Sequence, residues 1–191
     1  MSLPQRKTYT PGEYLELERK AETRNEYFDG EIFAMTGARR KHNLITVNIA
    51  SSLNAQLKGG KCEVYANDMR IKITSGGLYT YPDVVVACGS PEFEDEHIDT
   101  LLNPTLVIEL LSKSTEGYDR GDKSEYYRTL ESLSEYLLVA QDKPHVEHYV
   151  RQPGGRWLLS DADGRQARID LPSINCQLAM ADIYDKVELG V

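Results

Sequence analysis

Apolar positions recur along this chain in two rhythms. Residues 10–13, Thr-Pro-Gly-Glu, have the form of a capping box with proline at the first helical position. They predict a helix over 11–21, with Tyr14, Leu15 and Leu17 on or near one face. Ile45, Ile49, Leu53 and Leu57 recur at every fourth position, so 43–58 reads as an amphipathic helix ended by Gly59-Gly60. A further long helix is expected over 120–132, carrying Tyr126, Tyr127 and Leu130, and a short one within 180–187.

The other rhythm is that of strands. Glu26-Tyr27-Phe28 and Glu31-Ile32-Phe33 flank Asp29-Gly30, a hairpin signal. Residues 62–65 form a candidate strand, and Met69 to Ile73 alternates strictly, which predicts one buried face before a turn at Gly76-Gly77. Tyr81 to Cys88, Thr105 to Leu111 and Tyr136 to Ala140 are apolar nearly throughout, as strands covered on both faces are. The stretch 91–104 is acidic and loop-like. Segments 146–150, 157–159 and 167–171, with turns at Gly154-Gly155 and Asp163-Gly164, suggest a smaller β ribbon. This order predicts an α/β (α+β) protein: a mixed central sheet flanked by helices, with a C-terminal β meander rather than a doubly wound alternation.

Two acids break the apolar runs. Asp83 precedes Val84-Val85-Val86, and Glu109 follows Leu106-Val107-Ile108. A carboxylate in such a run is costly to desolvate unless something pairs with it, and a divalent metal is one such partner. Twenty-five residues lie between the two, enough for a strand, a loop and a return strand. Mg²⁺ or Mn²⁺ needs only one or two carboxylates, and the carbonyl of Leu110 offers another oxygen. The structural alternative is that each acid caps a strand end or pairs with an arginine.

Composition narrows the setting. At 191 residues the chain fits one domain, 1–191, by the rough prior of about 100–200 residues per domain. The net charge of −8 counts against a broad nucleic-acid coat, since phosphate contacts supply most nonspecific affinity, but allows a local basic cleft. Cys62, Cys88 and Cys176 are too few and too scattered for a disulfide framework, which points to a reducing, cytoplasmic setting. No signal stretch is visible, and no run reaches the ~18 apolar residues of a membrane span.

Other candidates surround the acids. Lys123 opens the helix after the Glu109 strand, with Asp119 four residues earlier on the same face. A cation there would serve phosphodiester chemistry; otherwise the pair is a surface bridge worth a few tenths of a kcal/mol. Glu26 could add a third carboxylate or stand as an exposed strand-end acid. Arg39-Arg40-Lys41-His42 is the densest basic cluster. Arg39 could contact phosphate, and His42 could shuttle a proton or touch substrate, unless the loop is merely solvated. Ser112 could bond a phosphate or start a turn. His145 and His148 sit three apart on a strand and so face opposite ways. No zinc spacing, phosphate-cradling glycine loop or GxSxG elbow occurs.

Taken in order, Asn25-Glu26-Tyr27-Phe28-Asp29-Gly30-Glu31-Ile32, His42, Tyr81-Pro82-Asp83-Val84, Val107-Ile108-Glu109-Leu110-Leu111-Ser112 with Ser114-Thr115, Asp119 to Lys123, Tyr126-Tyr127 and Glu135-Tyr136 resemble the Uma-two family. These are restriction-endonuclease-like proteins of the PD-(D/E)xK nuclease superfamily. The resemblance spans 9–150. It implies a divalent-metal nuclease acting on nucleic acid, DNA first, that often cuts as a homodimer. It makes Asp83 and Glu109 the metal acids, Glu26 the acid of the first motif and Lys123 the catalytic lysine. In the superfamily the lysine stands two residues after the second acid, where this chain has Leu111. The family's lysine is held to have moved to the following helix, which Lys123 fits; the alternative is a site that binds metal without cutting.

Overall fold

The protein is described by a computed structural model covering residues 7–73, 77–112 and 116–189. The chain begins with α1 (Pro11–Glu18), whose capping box forms as expected: the Glu13 amide donates to Thr10 Oγ1 at 3.3 Å, and the Thr10 amide to Glu13 Oε2 at 2.8 Å. The helix stops at Glu18, three residues short of expectation. Its last residue turns inward, and the Glu18 carboxylate accepts from the Asn25 amide at 3.0 Å and the Tyr81 hydroxyl at 3.0 Å. β1 (Asn25–Phe28) and β2 (Glu31–Ala34) form the expected hairpin. Asp29 and Gly30 take φ of 44° and 89°, the left-handed pair of a primed turn.

α2 (Arg40–Leu57) buries Ile45, Ile49 and Leu53, as the four-residue spacing requires. β3 (Cys62–Ala66), β4 (Arg70–Ile73), β5 (Leu78–Thr80), β6 (Val84–Cys88), β7 (Thr100–Leu101) and β8 (Leu106–Leu111) follow. Then come α3 (Glu116–Arg120), α4 (Asp122–Arg128), β9 (Glu135–Ala140), β10 (His145–Arg151), β11 (Trp157–Asp163), β12 (Arg168–Leu171), β13 (Cys176–Ala179) and α5 (Met180–Ile183).

Among the described residues the strands make a six-stranded sheet, β11-β10-β9-β8-β6-β3, a five-stranded sheet, β2-β1-β5-β4-β7, and the pair β12-β13. The six-stranded sheet is mixed, because β8 and β9 run parallel while its other neighbours are antiparallel. Side chains alternate across its strands, giving two apolar faces. Val84, Val86, Leu106, Ile108 and Leu110 pack with α2, α5 and the β12-β13 pair. Val85, Ala87, Val107 and Leu111 pack with α4 and the five-stranded sheet.

Several local expectations are corrected. The helix expected over 120–132 breaks at Gly121 (φ −96°, ψ −112°) and ends at Arg128. A Cβ at Gly121 would lie 3.0 Å from the Gly117 carbonyl oxygen, so the tight passage between α3 and α4 suits a residue without one. β4 has the one buried face its alternation predicts, Ile71 and Ile73, but on the other face Arg70 is buried as well, donating to Tyr81 and Thr100, while Lys72 stays partly exposed. The 91–104 loop supplies β7, parallel to β4. The expected small ribbon divides, with β10 and β11 extending the central sheet and β12 pairing β13. Cys62 and Cys88 are disulfide-bonded because β3 and β6 set them opposite one another; Cys176 is free and buried. Of the expected Gly76-Gly77 turn, Gly76 lies outside the described residues, as do Ser114 and Thr115.

Candidate active site

The site forms where the ends of β6 and β8 meet α2, α4 and β1. Val84 pairs with Ile108, so one step further along the ladder Asp83 comes level with Glu109. Both have the parity of Val85, Val107 and Leu111, and so belong to the α4 side of the sheet. Pro82 donates no amide hydrogen, and the β6 ladder begins only at Val84, which leaves the Asp83 side chain at the strand's mouth.

Lys123 reaches this face from the first turn of α4. Its ammonium lies 2.9 Å from Glu109 Oε1, 3.2 Å from Glu26 Oε1 and 3.9 Å from Asp119 Oδ1. The i,i+4 pair with Asp119 is no surface bridge: both residues are buried. The Tyr127 hydroxyl donates to Glu109 Oε1 at 2.6 Å, and the Thr80 hydroxyl donates to Glu26 Oε1. Asp83 is held from two sides. His42 Nε2 lies 2.6 Å from its Oδ1, and the Leu110 amide donates to its Oδ2 at 2.7 Å.

Charge and burial oppose each other here. Burial pushes the Glu109 carboxyl well above the ordinary carboxylate range, Lys123 pulls it down, and Asp83 and Asp119 push it up again. One buried ammonium is shared among several acids, and burial outweighs the attraction. Burial alone would lower the Lys123 ammonium, but Glu109, Glu26 and Asp119 hold it above its ordinary value. A group of acids short of positive charge fits a divalent cation. So does the donor set, since two carboxylates and the Leu110 carbonyl are hard oxygen ligands. The Gln141 amide is 3.4 Å from that carbonyl oxygen, a weak contact that leaves a lone pair open. Among the described residues no three His, Cys, Asp or Glu side chains converge as a ready-made metal cage. Mg²⁺ does not need one, because water and a phosphate complete its shell.

Five of the residues singled out in the sequence therefore come together: Glu26, His42, Asp83, Glu109 and Lys123. Arg39 does not join them; it is exposed just before α2, three residues from His42. Ser112 is half-buried just past β8, and its carbonyl accepts from the Glu116 amide at 2.8 Å, as a turn would have it. His145 and His148 serve separate partners, Asp163 and Glu135. Nothing in the sequence marked Tyr127 as a partner of Glu109, or Gln141 as a neighbour of the acids. Only the parallel pairing of Leu111 with Ala140 brings Gln141 beside Leu110 and Leu111.

The fold is of a mixed α+β class, with mixed sheets flanked by helices. The structure matches a solved chain from Anabaena variabilis, described as "a putative nuclease belonging to DUF820", with a TM-score of 0.76. That match covers 94% of this chain and 99% of the other at 22% identity, a likeness of fold. The chain belongs to the Uma2 family, described as "Putative restriction endonuclease", whose family model matches residues 11–181. Among its relatives are two Synechocystis sp. proteins. The protein sll1609 is 37% identical over 164 residues, 86% of this chain and 93% of that one; slr1290 is 37% identical over 175 residues, 92% and 90%. Among the described residues no helix is long and apolar enough to cross a membrane.

Proposed function

We propose that the protein is a Mg²⁺- or Mn²⁺-dependent nuclease that hydrolyses phosphodiester bonds in DNA, with Asp83, Glu109 and the Leu110 carbonyl holding the ion. The observation that carries this reading is the Lys123 ammonium, 2.9 Å from Glu109 and 3.2 Å from Glu26, beside an Asp83 tied to the amide of Leu110. When bound, the ion would supply a Lewis acid for the phosphate and lower the pKa of water. Lys123 sets a positive charge where the scissile phosphate gains negative charge. Glu26 would orient the attacking water and take its proton. Tyr127 keeps Glu109 in one rotamer. Arg39 and Ser112 would serve as contacts for phosphate or substrate. Two copies acting as a homodimer would cut both strands of a duplex.

A second reading is a nuclease-fold module that binds without cutting. Leu111 at the superfamily's usual lysine position and the net charge of −8 favour it. The test is nicking of supercoiled plasmid with Mn²⁺. Asp83→Ala should slow it at least about a hundredfold, the range for losing one electrostatic contributor. Equal nicking by the mutant would assign the activity to a contaminant. Saturable Mn²⁺ binding without nicking would favour the second reading.

A further inference from the structure

The orientation of the Gln141 amide, close to Asp83 and His42, is decided by partners that can only accept. Its Nε2 lies 3.1 Å from the Leu111 carbonyl oxygen and 3.4 Å from that of Leu110. Backbone carbonyls carry no hydrogen, so the amide NH₂ must face them. The same nitrogen lies 3.3 Å from His42 Nδ1. Two N–H groups do not bond to each other, so Nδ1 of His42 presents its lone pair. The ring hydrogen therefore sits on Nε2, which donates to Asp83 Oδ1 at 2.6 Å. Asp83 Oδ2 takes the Leu110 amide at 2.7 Å. Each carboxylate oxygen has two lone pairs, so one on each stays open.

The geometry points to Gln141 and His42 as positioning residues: Gln141 locks His42 in the Nε2–H tautomer, and His42 holds Asp83 with its open lone pairs aimed at the metal site. The consequence for metal binding rests on the reading of Asp83 as a metal carboxylate. The need for such a brace is local. Asp83 lies just outside the β6 ladder, and its main chain is fixed by the Asn67 amide, 3.0 Å from the Asp83 carbonyl. The hydrogen bonds to its side chain come from other elements, His42 of α2 and the Leu110 amide of β8. The brace spans three elements, from the residue after β9, through the first turn of α2, to the mouth of β6. It also revises the part expected of His42. With both ring nitrogens engaged inside the protein, His42 acts on Asp83 rather than on substrate.

The test reads the ring nitrogens directly. In ¹⁵N-labelled protein, two-bond ¹H–¹⁵N correlations separate the tautomers, and the chain has only four histidines, so the spectrum of His42→Gln identifies the His42 ring. Wild type should show His42 with its hydrogen on Nε2, and Gln141→Leu should shift that ring toward a tautomer mixture. A hydrogen on Nδ1 in the wild type, or an unchanged pattern in Gln141→Leu, overturns the proposal. Calorimetry with Mn²⁺ alone is the second arm. Gln141→Leu and His42→Ala should each weaken binding about 10–100-fold, as loss of an outer partner does, with little change in melting temperature. In His42→Gln an amide nitrogen reaches the Nε2 position and can donate to Asp83, so this variant should recover most of the affinity. It also keeps the test decisive if Gln141→Leu folds poorly. Equal affinity in His42→Ala and wild type would overturn the brace. If wild type binds no Mn²⁺ while the ring pattern is as expected, the metal reading falls and the tautomer lock stands.

Discussion

Glu109 is an acid placed where water hardly reaches, and its protonation links the site to stability. Its carboxyl is raised in the folded state, chiefly by burial. The folded protein therefore holds this proton more tightly than the unfolded chain does. Glu109 favours folding below the ordinary carboxylate range, and the benefit turns into a cost as pH rises from there toward the raised value. Metal-free Glu109→Gln should therefore melt higher than wild type at pH 8 and show a shallower loss of stability from pH 5 upward. The gain should be about 1 kcal/mol or more, with each kcal/mol worth roughly 2–4 °C in a chain of this size. Mn²⁺ should raise the wild-type midpoint and leave the variant's unchanged. Melting curves at pH 5 and pH 8, with and without Mn²⁺, check this, and a variant less stable than wild type at pH 8 would contradict it. Both acids were legible in the sequence because a charge in an apolar run is conspicuous. Gln141 was not, because a polar residue after a strand looks like any loop residue until its neighbours are known.

At the scale of elements, the hairpin that carries Glu26 depends on its turn. Gly30 has φ of +89°, and a Cβ there would approach the Thr8 side chain to 3.2 Å. Gly30→Ala combines left-handed strain with crowding and should cost about 1–3 kcal/mol. Thermal unfolding would show the loss. Mn²⁺ affinity should hold, since Asp83 and Glu109 lie on other elements. The turn was legible because Asp-Gly between apolar runs has few other solutions. The break at Gly121 was not, because an isolated glycine is tolerated within a helical pattern and the interruption shows only in the backbone dihedrals. Likewise, a strand such as β10 does not reveal which sheet it will join, because pairing partners are chosen by long-range packing.

For the whole molecule, the net charge of −8 sets the terms of nucleic-acid binding. With metal removed, acids at the site repel phosphate, so DNA affinity in EDTA should be weak. Asp83→Asn removes one of those charges and should bind several-fold tighter in EDTA, a change of about 1 kcal/mol for a single charge near the surface. Fluorescence anisotropy with a labelled duplex measures it, and no gain would mean that Asp83 does not face the path of the nucleic acid. By itself the sequence determined most of the local elements, the mixed α/β class, and Asp83 and Glu109 as charges out of keeping with their apolar surroundings. These follow from periodicity, turn chemistry and desolvation, which act over a few residues. Only the tertiary structure decided that β3 and β6 bridge Cys62 to Cys88, that Lys123 sits between Glu26 and Glu109, and that Gln141 reaches His42. Each of these joins residues far apart in the chain, and sheet register, not local preference, sets which of them meet.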